Sequence, residues 1–547
     1  MANIKFNRSI FEKEIGKLNA EMQNKIAMFG TTLEKIDNES LEIEVFPNRP
    51  DLLSYQGFKR AFLAFLGKKT GLKEYKVYPP KKDYQVIVES SVKKIRPFTA
   101  CAVVEDLIFD SEKIKELVDL QEKLHNTFGR KRKKFAVGIY PLEKICFPIT
   151  YKALEPDKIK FIPLGFNKEM SGIEILQKHE KGKEYTHLLA GKIKFPIFID
   201  GNKDILSMPP IINSQLTGKI TEETKGVFVE CSGFEPKVLK KCLNIIVTTL
   251  AEIGGKIYQM EVKYWKKEIT PNLEPQKMKI SLEEVNKILG IKINENHLKN
   301  FLERMGHNYK KGIVEIPSWR TDILHEIDLI EDVAIAYGYE NFVLELPEIS
   351  TIGEEQHREI IKRKIREALI GLKMLEVSNF HLTKKTEQFS KMGCEKEQGF
   401  VELESSKTDY TILRKDLTHY LLNVLSENVD AEHPQEIFEI GKVFSNEKKI
   451  CETENLAVAL SPGNFTMVKQ ILEYFSEIIG FSLRVEEVEK PPQHFINGRV
   501  AKIIFKDETI GYLGEIHPKI LKYWKIKMPI AVFEINLEGV FKEFETP

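Results

Sequence analysis

The sequence predicts an α+β protein of several domains, and three observations carry that reading. The chain has 547 residues, more than one core organises at roughly 100 to 200 residues per domain. Proline and glycine breaks divide it into stretches that each mix helix-period and strand-period apolar patterns. A short motif also occurs twice, which predicts two related small helical and strand modules within the larger architecture.

In chain order, Pro79-Pro80-Lys81-Lys82 interrupts the first segment, because adjacent prolines continue neither a helix nor a central strand, and the first module is placed at residues 1–90. A second region, 91–268, ends with a predicted helix Pro236–Glu252 closed by Gly254-Gly255 and a strand over 256–264, and residues 271–275 follow as a proline-bounded linker. The third region, 272–347, opens with a strand at 278–280. A helix follows from Ser281, with Glu284 three residues on and Gly290 just past its end. Two further helices are predicted at 297–305 and from about 323 to 337. Pro347 and Gly353 then set off a long final region, 348–547, rich in apolar strands such as 438–444 and 500–505.

The repeat is Pro47-Asn48-Arg49-Pro50-Asp51-Leu52-Leu53 against Ser318-Trp319-Arg320-Thr321-Asp322-Ile323-Leu324. Both read R-x-D-apolar-Leu, and each precedes an apolar helix ending in glycine, Gly67 and Gly338. Only the second copy carries Asp328, Glu331 and Asp332 on its helix, where the first has Gly57, Arg60 and Ala61.

Lys+Arg is 82 and Asp+Glu is 81, a net charge of +1 that argues against a stand-alone DNA-coating protein. Six cysteines without a C-x-x-C pair suggest neither a zinc site nor a disulfide framework, and point to reduced thiols and a cytoplasmic home. The opening residues hold no export signal, and no apolar run approaches the roughly 20 residues of a membrane span.

Asp328, Glu331 and Asp332 stand at i, i+3 and i+4, one helix face, with Asp322 just upstream. Clustered carboxylates repel, and a hard cation relieves that repulsion, so one reading is a magnesium site. The other is a solvated helix face with Asp322 capping the helix start. Arg130-Lys131-Arg132-Lys133-Lys134, the densest basic run, reads either as a phosphate contact or as a solvated turn. Ser207, Asn213, Thr217, Glu230 and Ser232 punctuate strand-rich sequence with small polar groups, which line a pocket or serve local turns. No Ser/His/Asp, Cys/His or phosphate-loop signature accompanies them.

Ile316-Pro317-Ser318-Trp319-Arg320-Thr321-Asp322-Ile323, with Asp328-Leu329-Ile330-Glu331-Asp332-Val333-Ala334 and Tyr337-Gly338-Tyr339, closely resembles the signature of the phenylalanyl-tRNA synthetase beta subunit. Supporting resemblance runs end to end, through Asn48-Arg49-Pro50-Asp51, Pro209-Pro210-Ile211-Ile212-Asn213, Phe438-Glu439-Ile440-Gly441 and Gly511-Tyr512-Leu513-Gly514. The length is similar to that of the archaeal and eukaryotic cytosolic form.

The resemblance implies an alpha partner in an (αβ)₂ heterotetramer that charges tRNA(Phe) with phenylalanine using ATP, the aminoacylation site lying on the alpha subunit. It implies magnesium, shared with that subunit, at Asp322, Asp328, Glu331 and Asp332. An α/β editing domain at 91–268 is implied to clear mischarged tyrosine through Ser207, Asn213, Glu230 and Ser232. These residues would position a water and the tRNA's terminal hydroxyl rather than supply a nucleophile. Residues 348–547 resemble a class II synthetase-like antiparallel sheet domain with flanking helices. They lack a G-x-G-x-x-R type of ATP signature, so this copy is expected to be catalytically silent, with Arg414 holding a carboxylate. Two other functions remain open to the residues themselves: a stand-alone deacylase of mischarged tRNA, and a nucleic-acid-binding regulator.

Overall fold

The computed structural model describes residues 2–545 apart from Trp265 and Glu395, and in it the chain divides into two units, residues 1–346 and 347–547. The first is a mixed α/β assembly containing three main sheets. Ala2–Asn7, Thr32–Ile36 and Ser40–Val45 form an antiparallel three-stranded sheet with Ser40–Val45 in the middle. Alternation buries Ile4, Phe6, Leu41, Ile43 and Val45 on one face. Against them packs the helix Tyr55–Phe65, whose start is fixed by Ser54 Oγ accepting from the Gly57 amide at 3.0 Å.

The later module repeats the plan. Gln276–Lys279, Asn308–Lys310 and Ile313–Ile316 make a second antiparallel three-stranded sheet, again with the last strand central. Ser281 caps the helix Leu282–Leu289 through the Glu284 amide, and Gly290 ends it at φ 65°, a left-handed conformation that glycine adopts without a Cβ clash. The helices expected at 297–305 and 323–337 run over Glu295–Arg304 and Glu326–Tyr337. The second starts late because residues 322–325 form the turn that the Asp328 carboxylate closes.

Between the modules lies an eleven-stranded mixed sheet. Val77–Tyr78 and Gln85–Val88, within the stretch assigned to the first module, belong to this sheet and run parallel to Lys256–Lys263. Pro79-Pro80 therefore separates two consecutive strands that both pair with Lys256–Lys263. One face of the sheet is covered by Ser111–Asn126 and Pro236–Glu252, packed on Ala100, Ala102, Val137, Val229 and Cys231. The other face carries Tyr140, Tyr151, Phe198 and Phe228, and the cavity described below lies at the edge strand Phe135–Pro141, lined by Glu230 of this face and by His125 of the helix Ser111–Asn126.

The second unit is built on a seven-stranded sheet, antiparallel except where the short Leu375–Glu376 pairs with Gln435–Asn446. The expected strands at 438–444 and 500–505 lie within Gln435–Asn446 and Phe495–Phe505. His357–Gly371 and Phe465–Ile479 pack on one face and Thr418–Glu427 on the other.

Candidate functional site

Period-two alternation sorts the strand Val227–Gly233. Val227, Val229 and Cys231 face the helices, while Phe228, Glu230 and Ser232 face the opposite side. Glu230 is opposite Gly138 in the register with Phe135–Pro141. A Cβ at position 138 would come within 2.1 Å of the Tyr140 hydroxyl and 2.6 Å of Glu230 Oε1, so only glycine permits the approach. Tyr140 donates to Ser207 Oγ at 2.8 Å and lies 3.4 Å from Glu230 Oε1. Ser207 is paired with Asn213 across adjacent strands.

Ser207, Asn213 and Glu230 line one cavity of about 260 Å³. Ser232 is not part of that lining. Fully buried behind Glu230, its Oγ accepts from Arg96 Nε at 3.3 Å and its carbonyl from Arg96 Nη2 at 2.7 Å. Burial pushes the Glu230 carboxyl up to about 8, over the opposing pulls of Arg96, Ser232 and Tyr140. At neutral pH it is therefore mostly protonated. It presents one O–H donor and one carbonyl acceptor to the cavity, not the purely accepting carboxylate that the motif suggests. Its Oε2 is buried with no partner among the described residues.

The basic run is divided by the fold. Arg132 is buried, with its guanidinium 4.4 Å over the Tyr185 ring, and donates to the carbonyls of Pro210 and Ile211 at 3.1 and 2.7 Å and to Glu122 at 2.8 Å. It clamps the Pro209–Pro210 wall of the cavity instead of meeting a phosphate. His125 also lines the cavity. Burial lowers it to about 4, and its Nε2 accepts from the Val137 amide at 2.8 Å, so the neutral ring carries its proton on Nδ1. Tyr140, Arg96 and His125 are not singled out by sequence, and Arg132 stands there only as one member of a basic run; a buried arginine within a charge run leaves no periodic signal.

The four carboxylates of the later module are placed differently from one another. Arg320 grips Asp322 with a two-pronged fork at 2.9 and 2.7 Å and reaches Asp332 Oδ2 at 2.9 Å. His307 Nε2 lies 2.8 Å from that same oxygen, and burial lowers the ring's pKa, so the neutral ring donates there. Burial alone would raise the Asp322 carboxyl, but Arg320 overrides it and holds it well below the usual range. Asp328 Oδ2 accepts from the Leu324 and His325 amides at 2.7 and 2.8 Å. Glu331 is pushed upward, by partial desolvation and by its acidic neighbours. Among the described residues no three acidic, histidine or cysteine side chains gather closely enough to hold a metal ion. Arg320 engages Asp322 and Asp332, and two backbone amides engage one oxygen of Asp328, so these three acids already have partners within the chain.

Residues 278–339 match the model of the tRNA synthetase B5 domain, and residues 344–537 that of the phenylalanyl tRNA synthetase beta chain CLM domain. The chain is 39% identical over 507 residues to the phenylalanine–tRNA ligase beta subunit of Thermococcus sibiricus, covering 90% of each. It is 36% identical over 541 residues to that of Archaeoglobus fulgidus, covering 97% of each. The chain belongs to the phenylalanine–tRNA ligase beta subunit family. A crystal structure of an N-terminal fragment of the phenylalanyl-tRNA synthetase beta subunit from Pyrococcus horikoshii superposes with a TM-score of 0.59 at 38% identity, covering 61% of this chain and 99% of that one.

In the part of this ligase subunit that matches the CLM model, Arg414 is buried and donates to Glu439 Oε1 at 2.6 Å and to the Lys442 carbonyl at 2.7 Å. It holds a carboxylate, as the sequence suggests. Among the described residues no helix is long and apolar enough to cross a membrane.

Proposed function

We propose that the chain acts as the beta subunit of a phenylalanine–tRNA ligase. With an alpha partner, in an (αβ)₂ heterotetramer, it supports the ATP-dependent attachment of phenylalanine to tRNA(Phe) in the cytoplasm. The observation that carries this reading is the identity to archaeal beta subunits sustained over 97% of both chains in one relative. That extent counts against a stand-alone deacylase and against a regulator built from the two small modules. We read the residues before Val77 and 272–347 as the paired modules, the region from Val77 to 268 as the editing domain, since the strands Val77–Tyr78 and Gln85–Val88 belong to its sheet, and 348–547 as a catalytically silent class II-like domain.

Editing rests on the cavity lined by Ser207, Asn213 and Glu230. Tyrosine differs from phenylalanine by one hydroxyl, and an apolar synthetic site rejects an added hydroxyl by only about a hundredfold. A second site that hydrogen-bonds the hydroxyl restores fidelity. Neutral Glu230 offers that hydroxyl both a donor and an acceptor, Ser207 supports Tyr140, and Asn213 faces the same space. Ser232 acts indirectly, by holding Arg96 behind the strand. Hydrolysis then needs only a water positioned beside the ester.

For a magnesium ion shared with the alpha subunit, this chain offers Glu331 and the second oxygen of Asp328, too few to define a site. The test of the whole reading is co-expression with the alpha subunit from the same genome. Phenylalanylation should require both chains, and the complex should deacylate tyrosyl-tRNA(Phe). Phenylalanylation by the alpha subunit alone, at the rate of the complex, would refute the assignment.

A further inference from the structure

A cavity of about 200 Å³ lies between the two R-x-D modules, away from the editing pocket. Arg60, from the helix Tyr55–Phe65, and Arg320, from the second motif, both line it. Arg320 is only 2% exposed. Its Nε and Nη2 are spent on Asp322 and Asp332, but Nη1 is buried without a partner among the described residues. Arg60 lies 4.3 Å over the Trp319 ring and donates from Nη1 to the Tyr75 hydroxyl at 2.9 Å, while its Nε and Nη2 are also buried and have no partner among the described residues.

Three guanidinium nitrogens from two modules are thus removed from water with no acceptor among the described residues, an arrangement that is costly unless an acceptor enters. Exposed Lys69 lines the same cavity. The acids in the lining are already engaged: Asp51 is forked by Arg49 at 2.9 Å, and Glu252 is held by Lys73 at 2.8 Å and by Tyr75. What is missing is an anion with several acceptor directions, because a planar carboxylate pairs side-on with one fork whereas a tetrahedral oxyanion presents oxygens to donors on different walls.

We propose that this junction cavity binds a phosphate-type oxyanion, held by Arg60 and Arg320 with Lys69 at its rim. Occupancy would tie the first module to the second, since its two arginine holders, half-buried Arg60 and buried Arg320, come from different copies of the repeat. The phosphate belongs either to a free phosphate or nucleotide, or to an RNA backbone.

The full chain is titrated with inorganic phosphate against chloride at matched ionic strength, following the thermal midpoint and ³¹P line width. A saturable, phosphate-specific rise is expected. Arg60→Gln should weaken binding by about tenfold or more, and Lys69→Gln, at an exposed position, should weaken it several-fold, while Lys131→Gln leaves it unchanged. Displacement of phosphate by a tRNA(Phe) transcript assigns the site to an RNA backbone, and its failure to displace assigns it to the free anion. No rise beyond that with chloride, or an equal rise in Lys69→Gln and in folded Arg60→Gln, overturns the proposal.

Discussion

The Tyr140 hydroxyl lies 3.4 Å from Glu230 Oε1, although 90 residues separate the two in sequence. Only Gly138, between two strands in register, leaves room for the approach. Gly138→Ala should therefore push both groups out of place. Tyrosyl-tRNA deacylation should fall at least about tenfold while phenylalanine charging by the complex is retained, and the overpacking should cost on the order of 1 to 3 kcal/mol. Wild-type deacylation by this variant would show that the close approach does not matter to the pocket.

Glu230 gives a pH signature whose sign follows from its burial. Its folded pKa, about 8, is above the 4.5 of an exposed glutamate. The fold binds the proton more tightly than the unfolded chain does, so this contribution is fully present below 4.5 and is lost as pH rises through about 8. Glu230→Gln, close in shape to the neutral acid, should flatten that part of the stability profile in denaturant titrations across the range. An unchanged slope would place the titration elsewhere.

Reading of the tyrosine hydroxyl is a separate matter, tested by Glu230→Ala. Removing donor and acceptor together should cost on the order of 1 to 3 kcal/mol in discrimination between tyrosyl- and phenylalanyl-tRNA, with phenylalanine charging untouched. Steady-state deacylation of both substrates measures it. Equal rates in variant and wild type would remove Glu230 from the reading role.

What the sequence made legible was local. The R-x-D repeat folds as it reads, with Arg49 forking Asp51 and Arg320 forking Asp322, because both partners lie two residues apart in a turn. The helix Pro236–Glu252 was legible for the same reason: its proline start and glycine end are punctuation. Tyr140 and Arg96 escaped because their meaning depends on strand register and on partners such as Ser207 and Ser232, 67 and 136 residues away. Arg132 was misread as exposed because composition does not reveal which member of a charge run turns inward. The carboxylate set was visible as a cluster, but the arginine that divides it acts through distances, not spacing.

The second unit yields a prediction about chemistry. Arg414, a group that could have met a nucleotide, is instead buried on Glu439 and the Lys442 carbonyl. The isolated chain should therefore form no phenylalanyl-adenylate, and phenylalanine-dependent pyrophosphate exchange by the purified chain would contradict this.

Arg320 is the last test, because it separates structural from metal-binding roles for the acids around it. Two carboxylates, the buried Asp332 and the half-buried Asp322, share its guanidinium. Lysine keeps the charge but cannot fork, so Arg320→Lys leaves one carboxylate underpaired in a site where such loss typically costs about 3 to 5 kcal/mol. Denaturant unfolding should show a loss of that order without added magnesium. Glu331 behaves oppositely: partial desolvation and its acidic neighbours already disfavour its charge, so Glu331→Gln should leave stability unchanged or raise it slightly. If Glu331 contributes to an ion shared with the alpha subunit, the same variant should make assembly of the two chains less dependent on magnesium, as read by sedimentation across a magnesium series. Unchanged magnesium dependence, together with the expected loss in Arg320→Lys, would make this cluster a structural ion-pair network and not a metal site.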